Sequence, residues 1–559
     1  MHRFLMLLTL ALANSVLYAV PDTVLYNGKV LTVDDRFSIQ QALAIRADRI
    51  AATGPDAEIL ALAGEGTRKI DLQGRTVIPG LIDNHVHIIR GSRQWNRDVR
   101  LTGIHSRAEA KRLIAERARQ LGNGEWVLVL GGFTTEQFSD DSSPFTRAEL
   151  DEVAPDNPVF MQVLFGMGYA NTQAFRAIGI EEDTDIAWLE IANDIDLNDE
   201  EQPTGTVRGA AMRRMLAEVA EPDMQQAKDR ALGNMRDLHA MGVTSVLDAA
   251  GGTGLDLSLY QPYAELAAEG RLKLRVFHLY SPAVMEPDRT DGLEKELATL
   301  RFMEDNDWFA RIGVGERLYN PVHDSMLQPA ASGPQHRKAF AELARQVAAQ
   351  RRHLHQHATH PDSMQQHLDA FEAINEAHPL QELRWVFAHA DGIDPEILPR
   401  AKALGMGIAS HSRRLITGKS FSHPLAMLAF GNPPLKTIQA SGITWGLGSD
   451  TMVVNQSNPF YTMWWAVSGR AMNGDKLTDE TVTRKQALVA HTRSNAWMVF
   501  REDQLGSLEP GKFADLLVLD KDYLTVPEIE IRRIKPLLTM VGGEIVHQAS
   551  PQAGGSPIK

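Results

Sequence analysis

The stretch Gly80-Leu81-Ile82-Asp83-Asn84-His85-Val86-His87 closes an apolar run with two histidines one residue apart. Side chains alternate along a β-strand, so a strand from Val77 to His87 presents His85 and His87 on one face, where both imidazoles reach a single metal ion. Taken alone, such a pair is as readily a solvated strand face as a ligand pair. Its meaning depends on what else converges there.

Working outward, apolar β-rich runs alternate with helical stretches, the pattern of a parallel sheet with crossover helices. The candidate strands are Val77 to His87, Val243 to Asp248, Leu272 to Leu279, Ile312 to Leu318, His353 to Ala358, Arg384 to His389, Gly405 to Ser410 and Ile443 to Asp450. They predict an α/β fold, a (β/α)8 TIM-like barrel over residues 77–504, with its active site where the strands end. Residues from about 100 to 235 do not fit one βα unit and read as a long insertion after the first strand, a candidate lid or substrate-facing subdomain. At the chain ends, short alternating segments punctuated by turns predict a small β-sandwich domain shared between residues 20–76 and 505–550. Asn27-Gly28 is a hairpin signal within it, and Met540 to Val546 has a hairpin-like pattern.

With 559 residues the chain can bury a large core. A formal charge of −14, without a basic tract, argues against nucleic acid or an anionic membrane as partner and favours a small-molecule substrate. The sequence leaves a homo-oligomer open. Zero cysteines exclude disulfides, thiolate ligands and cysteine nucleophiles, so any metal is held by nitrogen and oxygen. Met1-His2-Arg3, the apolar Phe4 to Ala13 and Ser15 to Ala19 read as a signal peptide over residues 1–19, cleaved after Ala19. That apolar run falls short of the roughly 20 residues of a membrane span, so the expectation is a periplasmic or secreted protein with no stable membrane anchor after cleavage.

Residue types suited to metal chemistry cluster at the predicted strand ends. His85 and His87 close the first strand, Glu316 lies near the end of the fourth, His355 and His357 end the fifth, His389 the sixth and Asp450 the eighth. A lone buried histidine is more often a satisfied core residue than a ligand, but convergence at five strand ends reverses that expectation. Neutral imidazoles and carboxylates suit a divalent metal, with Zn²⁺ foremost and one or two ions both open; an open coordination position lowers the pKa of bound water to roughly 7. Asp450 can serve as ligand and general base, while His389 binds metal or orients a substrate carbonyl.

The set His-x-His after Gly-Leu-Ile-Asp, His357, His389 and Gly448-Ser449-Asp450 resembles the amidohydrolase superfamily, and Gly506 to Leu516 is similar to its closing β-sandwich motif. The long insertion, with Asn171 in Tyr169-Ala170-Asn171-Thr172 and with Thr204-Gly205, most resembles the amidohydrolase-3 branch containing N-substituted formamide deformylases. That resemblance implies a metal-dependent hydrolase of carbon–nitrogen bonds other than peptide bonds, with His85, His87, Glu316, His357, His389 and Asp450 as metal residues.

The chain departs from the branch at two places. Gly313-Val314-Gly315-Glu316-Arg317 lacks the lysine that the branch carboxylates on strand four; Glu316 offers a carboxylate there, or alternatively an ion pair with a neighbouring arginine. His353-Leu354-His355-Gln356-His357-Ala358 stands where His-Ala-Ile-Gly-Asp is common; the His-Ala step selects His357 as ligand and leaves His355 behind it or against substrate, or as part of a solvated patch. His411, Trp464 and Asn171 are further candidates for substrate contact, with a surface role as the alternative for His411 and a core role as that for Trp464. Two other functions stay open: hydrolysis of esters, lactones or phosphotriesters by the same site, and a catalytically silent binding or regulatory protein on this scaffold.

Overall fold

The computed structural model describes residues 20–249, 257–303, 306–324, 330, 333–418 and 431–550. The expected signal peptide lies outside them. One sheet contains eight parallel strands in chain order: β1 (Leu81–Val86), β2 (Val243–Asp248), β3 (Arg275–Tyr280), β4 (Phe309–Glu316), β5 (His353–Ala358), β6 (Val386–His389), β7 (Gly407–His411) and β8 (Thr444–Gly448). The sheet closes on itself just beyond the last strand, where Asp450 N–H donates to His85 O at 2.9 Å and His87 N–H donates to Thr451 O at 2.7 Å. Both bonds join the ends of β1 and β8, so barrel closure and the first histidine pair share one stretch of backbone.

The crossover helices form because their apolar residues recur at helical spacing. Pro334–Ala349 starts with proline at its first turn, where no N–H is needed, and buries Phe340, Leu343, Ala344 and Val347 along one stripe. Pro361–Asn375 repeats the device with Met364, Leu368 and Phe371. Burying each large side chain contributes about 1.5–3 kcal/mol before the ordering entropy is deducted.

The expected strand from Val77 to His87 is two strands. Thr76–Pro79 lies in a six-stranded sheet with strands from both chain ends, and Leu81–Val86 opens the barrel. Gly80 is the junction: its N–H donates to Asp515 O, and a Cβ there would lie 2.2 Å from Thr244 Oγ1. A second, four-stranded sheet is formed by early residues alone, with strands Thr23–Tyr26, Ala42–Arg46, Arg49–Gly54 and Arg68–Asp71. Asn27-Gly28 is not a hairpin. Thr23–Tyr26 belongs to the four-stranded sheet and Lys29–Leu31 to the six-stranded one, so the turn carries the chain between sheets. The later hairpin forms, with Val541 paired to Glu544 around Gly542-Gly543.

Within the insertion, strands Val127–Val129, Val159–Val163, Met167–Ala170, Ile195–Leu197 and Pro203–Arg208 make a separate five-stranded sheet. One apolar cluster around Phe145 and Tyr169 and another around Phe160 and Phe175 pack with it. The insertion also braces the end of the barrel where the strands finish: Gly132 N–H donates to Val453 O, and Thr134 Oγ1–H donates to Ile416 O at 2.5 Å. Among the described residues, no helix is long and apolar enough to cross a membrane.

At the opposite end, β3 is tied to the six-stranded sheet by a buried ion pair. Arg275 Nε and Nη2 donate to the two carboxylate oxygens of Asp515 at 2.8 and 3.1 Å, Gly542 N–H donates to the same carboxylate, and the guanidinium lies over Phe513. Removing one partner strands a buried charge, so Asp515→Ala is expected to lower unfolding free energy by about 3–5 kcal/mol. A chemical denaturation midpoint equal to that of the parent would refute this.

The segment His491 to Ala496 ties the first and last barrel strands together. His491 Nδ1 lies 3.0 Å from Ile82 O, while Asn495 Nδ2 donates to Ile82 O at 2.6 Å and Leu447 O at 2.7 Å, clamping β1 to β8 from below.

Candidate metal centre

The mouth of the barrel is lined by imidazoles and carboxylates because the inward positions at the strand ends carry them. Glu316 ends β4 after Gly315, whose φ of 143° and tight approach to β5, with an added Cβ 2.2 Å from His355 O, require glycine. The Glu316 carboxylate thereby reaches the centre of the barrel. Its Oε2 lies 3.0 Å from His357 Nδ1, 3.1 Å from His389 Nε2 and 3.5 Å from His85 Nε2, and its Oε1 is 3.8 Å from His87 Nε2. Glu316 thus faces four histidines, and the alternative of an arginine ion pair is not what the described contacts show.

Asp450 approaches from the other side. Its Oδ1 is 3.3 Å from His87 Nε2 and 3.7 Å from His85 Nε2, and its Oδ2 is 3.5 Å from His389 Nδ1. Two residue groups result, His85–His87–Asp450 and Glu316–His357–His389, each with ligand-type atoms within 4.8 Å of one another; His85, His389 and His411 satisfy the same limit. All these residues are buried. His389 and Asp450 have φ of 76° and 60°, left-handed conformations that non-glycine residues rarely adopt.

Electrostatics match a site for a cation. Burial raises the carboxyl pKa of Glu316, but hydrogen bonds with His357 and His389 and the electrostatic pull of His85 outweigh it and hold the group well below the ordinary carboxylate range. Burial alone disfavours a charged His357, yet Asp324 and Glu316 on its two nitrogens push it up to about 9. Carboxylate oxygens thus face both ring nitrogens of His357. Burial holds His355, His389 and His411 far below the usual histidine range, in the neutral form that metal ligation requires. Among the described residues, His85 Nε2 is buried without a hydrogen-bonding partner, as is His87 Nδ1. An unpartnered imidazole nitrogen facing two carboxylates is a fitting donor for a metal.

The weaker candidates separate into those inside and outside the site. His355 and His411 are fully buried below the ligand groups, not in a solvated patch. Trp464 is fully buried in the helix Pro459–Ser468 with Arg532 over its ring, a core position instead of the expected pocket wall. Asn171 is an N-cap in the insertion: its Oδ1 accepts from Ala174 and Val159 N–H, and its Nδ2 donates to Ala154 O and Asn157 O. With its amide so saturated, Asn171 serves the insertion's own fold.

The structure adds groups that sequence reading missed. Asp324 Oδ1 lies 3.0 Å from His357 Nε2, and its carboxylate also accepts N–H bonds from Thr359 and His360, so it fixes the His357 imidazole from behind. Arg413 is buried, pairs with Asp391, donates to Thr359 Oγ1 at 3.2 Å and stands 3.9 Å from Asp450 Oδ2. Both lie in loops beyond strand ends, where spacing carries no signal.

Residues 68–547 match the sequence profile described as "Amidohydrolase family". Over 559 aligned residues the chain is 28% identical to the N-substituted formamide deformylase of Arthrobacter pascens, covering 94% of this chain and 98% of that protein. Two solved structures share the fold. An uncharacterized metal-dependent hydrolase from Pyrococcus furiosus aligns with a TM-score of 0.62 and 23% identity over 90% of this chain and 100% of its own. Atrazine chlorohydrolase TrzN from Arthrobacter aurescens TC1, complexed with zinc, aligns with a TM-score of 0.54 and 17% identity over 96% of each chain.

Proposed function

The chain belongs to the amidohydrolase family, and from that premise we propose that it is an exported metal-dependent hydrolase acting on a non-peptide amide, with a formamide-like group as the first substrate class to try. The observation that carries this reading is the convergence of His85, His87, His357 and His389 on the Glu316 carboxylate, with the Asp450 carboxylate against His85, His87 and His389. The similarity to an N-substituted formamide deformylase along nearly the whole of both chains supports the choice of bond.

His85, His87 and Asp450 would hold one divalent ion and Glu316, His357 and His389 a second, with the nitrogen and oxygen donors suiting Zn²⁺. Such an ion supplies Lewis-acid polarisation of a carbonyl and makes water acidic enough to attack at neutral pH. The chain's own residues do the rest. Glu316, which also faces His85 and His87 of the other group, supplies the negative charge that the branch obtains from a carboxylated lysine. Asp450 is placed to accept the proton of attacking water and return it to the departing nitrogen. Asp324 holds His357 in place. Export rests on the Met1 to Ala19 leader pattern.

Metal analysis of the purified protein, with hydrolysis measured on matched N-substituted formamide and ester pairs, tests the proposal. The expected result is stoichiometric transition metal and a preference for the amide, with activity lost on chelation and restored by zinc. A protein without stoichiometric metal would sink the reading, and a clear preference for the ester would move the bond.

A further inference from the structure

Two of the proposed ligand histidines rest on other histidines. His85 Nδ1 lies 3.0 Å from His355 Nε2, and His389 Nδ1 lies 2.7 Å from His411 Nδ1. All four rings are buried. The strand register places these partners behind the ligands, with His355 two residues before His357 on β5 and His411 at the end of β7 beside β6.

A neutral imidazole has one N–H and one lone pair. The nitrogens of His85 and His389 nearest the Glu316 carboxylate are Nε2 in both cases. For each to offer a lone pair to a metal, its Nδ1 must carry the hydrogen, and the nitrogen opposite must accept it. For His389 the nearer acceptor is His411 at 2.7 Å, against 3.5 Å to Asp450 Oδ2.

The accepting tautomers place the remaining hydrogens on His355 Nδ1 and His411 Nε2. Both atoms are buried without a hydrogen-bonding partner among the described residues. A buried unsatisfied polar group costs on the order of 1–3 kcal/mol, which leucine at either position would avoid. Packing therefore gives no reason for histidine at these two places. Fixing the tautomer of the residue in front does.

We propose that His355 and His411 are positioning residues, each accepting the Nδ1–H of one ligand histidine, His85 and His389 respectively, and thereby turning that ligand's Nε2 lone pair toward the metal. This rests on the reading of His85 and His389 as ligands. It assigns His411 a role behind the site, in place of the substrate contact that its position after strand seven suggested. It also gives the centre neutral imidazole supports on two ligands, where a carboxylate support would raise ligand basicity.

Amide side chains can imitate one ring nitrogen at a time. Glutamine reaches the position of Nε2 and asparagine that of Nδ1, so the matched replacements are His355→Gln and His411→Asn. The mismatched ones are His355→Asn and His411→Gln, with His355→Leu and His411→Leu removing the acceptor altogether. The readout is zinc affinity of the full-length protein by competition with a chromophoric chelator, with the melting temperature of each variant followed alongside.

Leucine and mismatched variants are expected to bind zinc about 10–100-fold more weakly, and the matched amides close to the parent. Parental affinity in the leucine variants would overturn the pairing while leaving the metal reading intact; no zinc binding by the parent would overturn both. His411→Gln outperforming His411→Asn would make His411 a direct ligand through Nε2 and overturn its positioning role. Should the leucine variants fail to fold, the matched and mismatched amides carry the same comparison.

Discussion

Exchanging Glu316 for glutamine is expected to reduce bound metal from about two ions per chain to about one and to lower kcat/KM by roughly 10³-fold. The argument starts from charge. Glu316 is the carboxylate of the group it forms with His357 and His389, whereas the His85–His87 pair keeps Asp450 as its own. Glutamine preserves volume and one carbonyl oxygen but removes the negative charge that offsets a dication buried at the barrel mouth. Loss of one Lewis-acid site removes several kcal/mol of transition-state stabilisation, and at about 1.4 kcal/mol per tenfold that amounts to roughly 10³ in rate. Metal analysis together with steady-state kinetics checks both halves. A variant with parental metal content and turnover would remove Glu316 from the site.

The eight barrel strands were legible because buried parallel strands read as apolar β-rich runs separated by helical periods. The error at the first strand has a physical source. Residues on both sides of Gly80 are buried and apolar, so no change of pattern marks the point where the chain leaves the six-stranded sheet for the barrel. Only tertiary contacts mark it, from Thr244 against Gly80 and from Asp515 to its N–H. At Asn27-Gly28 the local signal was correct and its use was not. Asn27 does adopt a positive φ of 57°, but its two flanking segments find partners in different sheets. Turn chemistry specifies a reversal of direction; which strands then pair depends on residues distant in sequence.

Within the site, the residues whose types are chemically specific were legible, because histidine and carboxylate at the ends of buried strands have few purely structural uses. Trp464 and Asn171 were not, since their types serve packing and capping as well as they serve ligands. The segment Asn171-Thr172-Gln173-Ala174 has the form of a helix start, and that reading accounts for its side chain. Asp324 and Arg413 escaped for a different reason. Each lies beyond a strand end, and its proximity to His357, Thr359 or Asp450 is produced by loop paths that no periodicity encodes.

Replacing Asp450 by asparagine is expected to cut kcat by about 10²–10⁴-fold with the fold retained, the range that loss of a positioned general base produces. Asparagine is the informative choice because it separates the carboxylate from the backbone. Asp450 has a φ of 60°, a conformation that asparagine tolerates better than most residues, and the barrel-closing bond from Asp450 N–H to His85 O does not involve the side chain. The strained backbone and the closure should therefore persist. What disappears is the negative charge 3.3 Å from His87 Nε2 and 3.9 Å from Arg413 Nη1, together with the acceptor for a proton. Because the same carboxylate belongs to the group with His85 and His87, its removal also weakens metal binding there, so kinetics must be measured at saturating zinc to isolate the proton-transfer role. Parental kcat in the asparagine variant at full metal occupancy would place the base elsewhere and leave Asp450 a ligand alone.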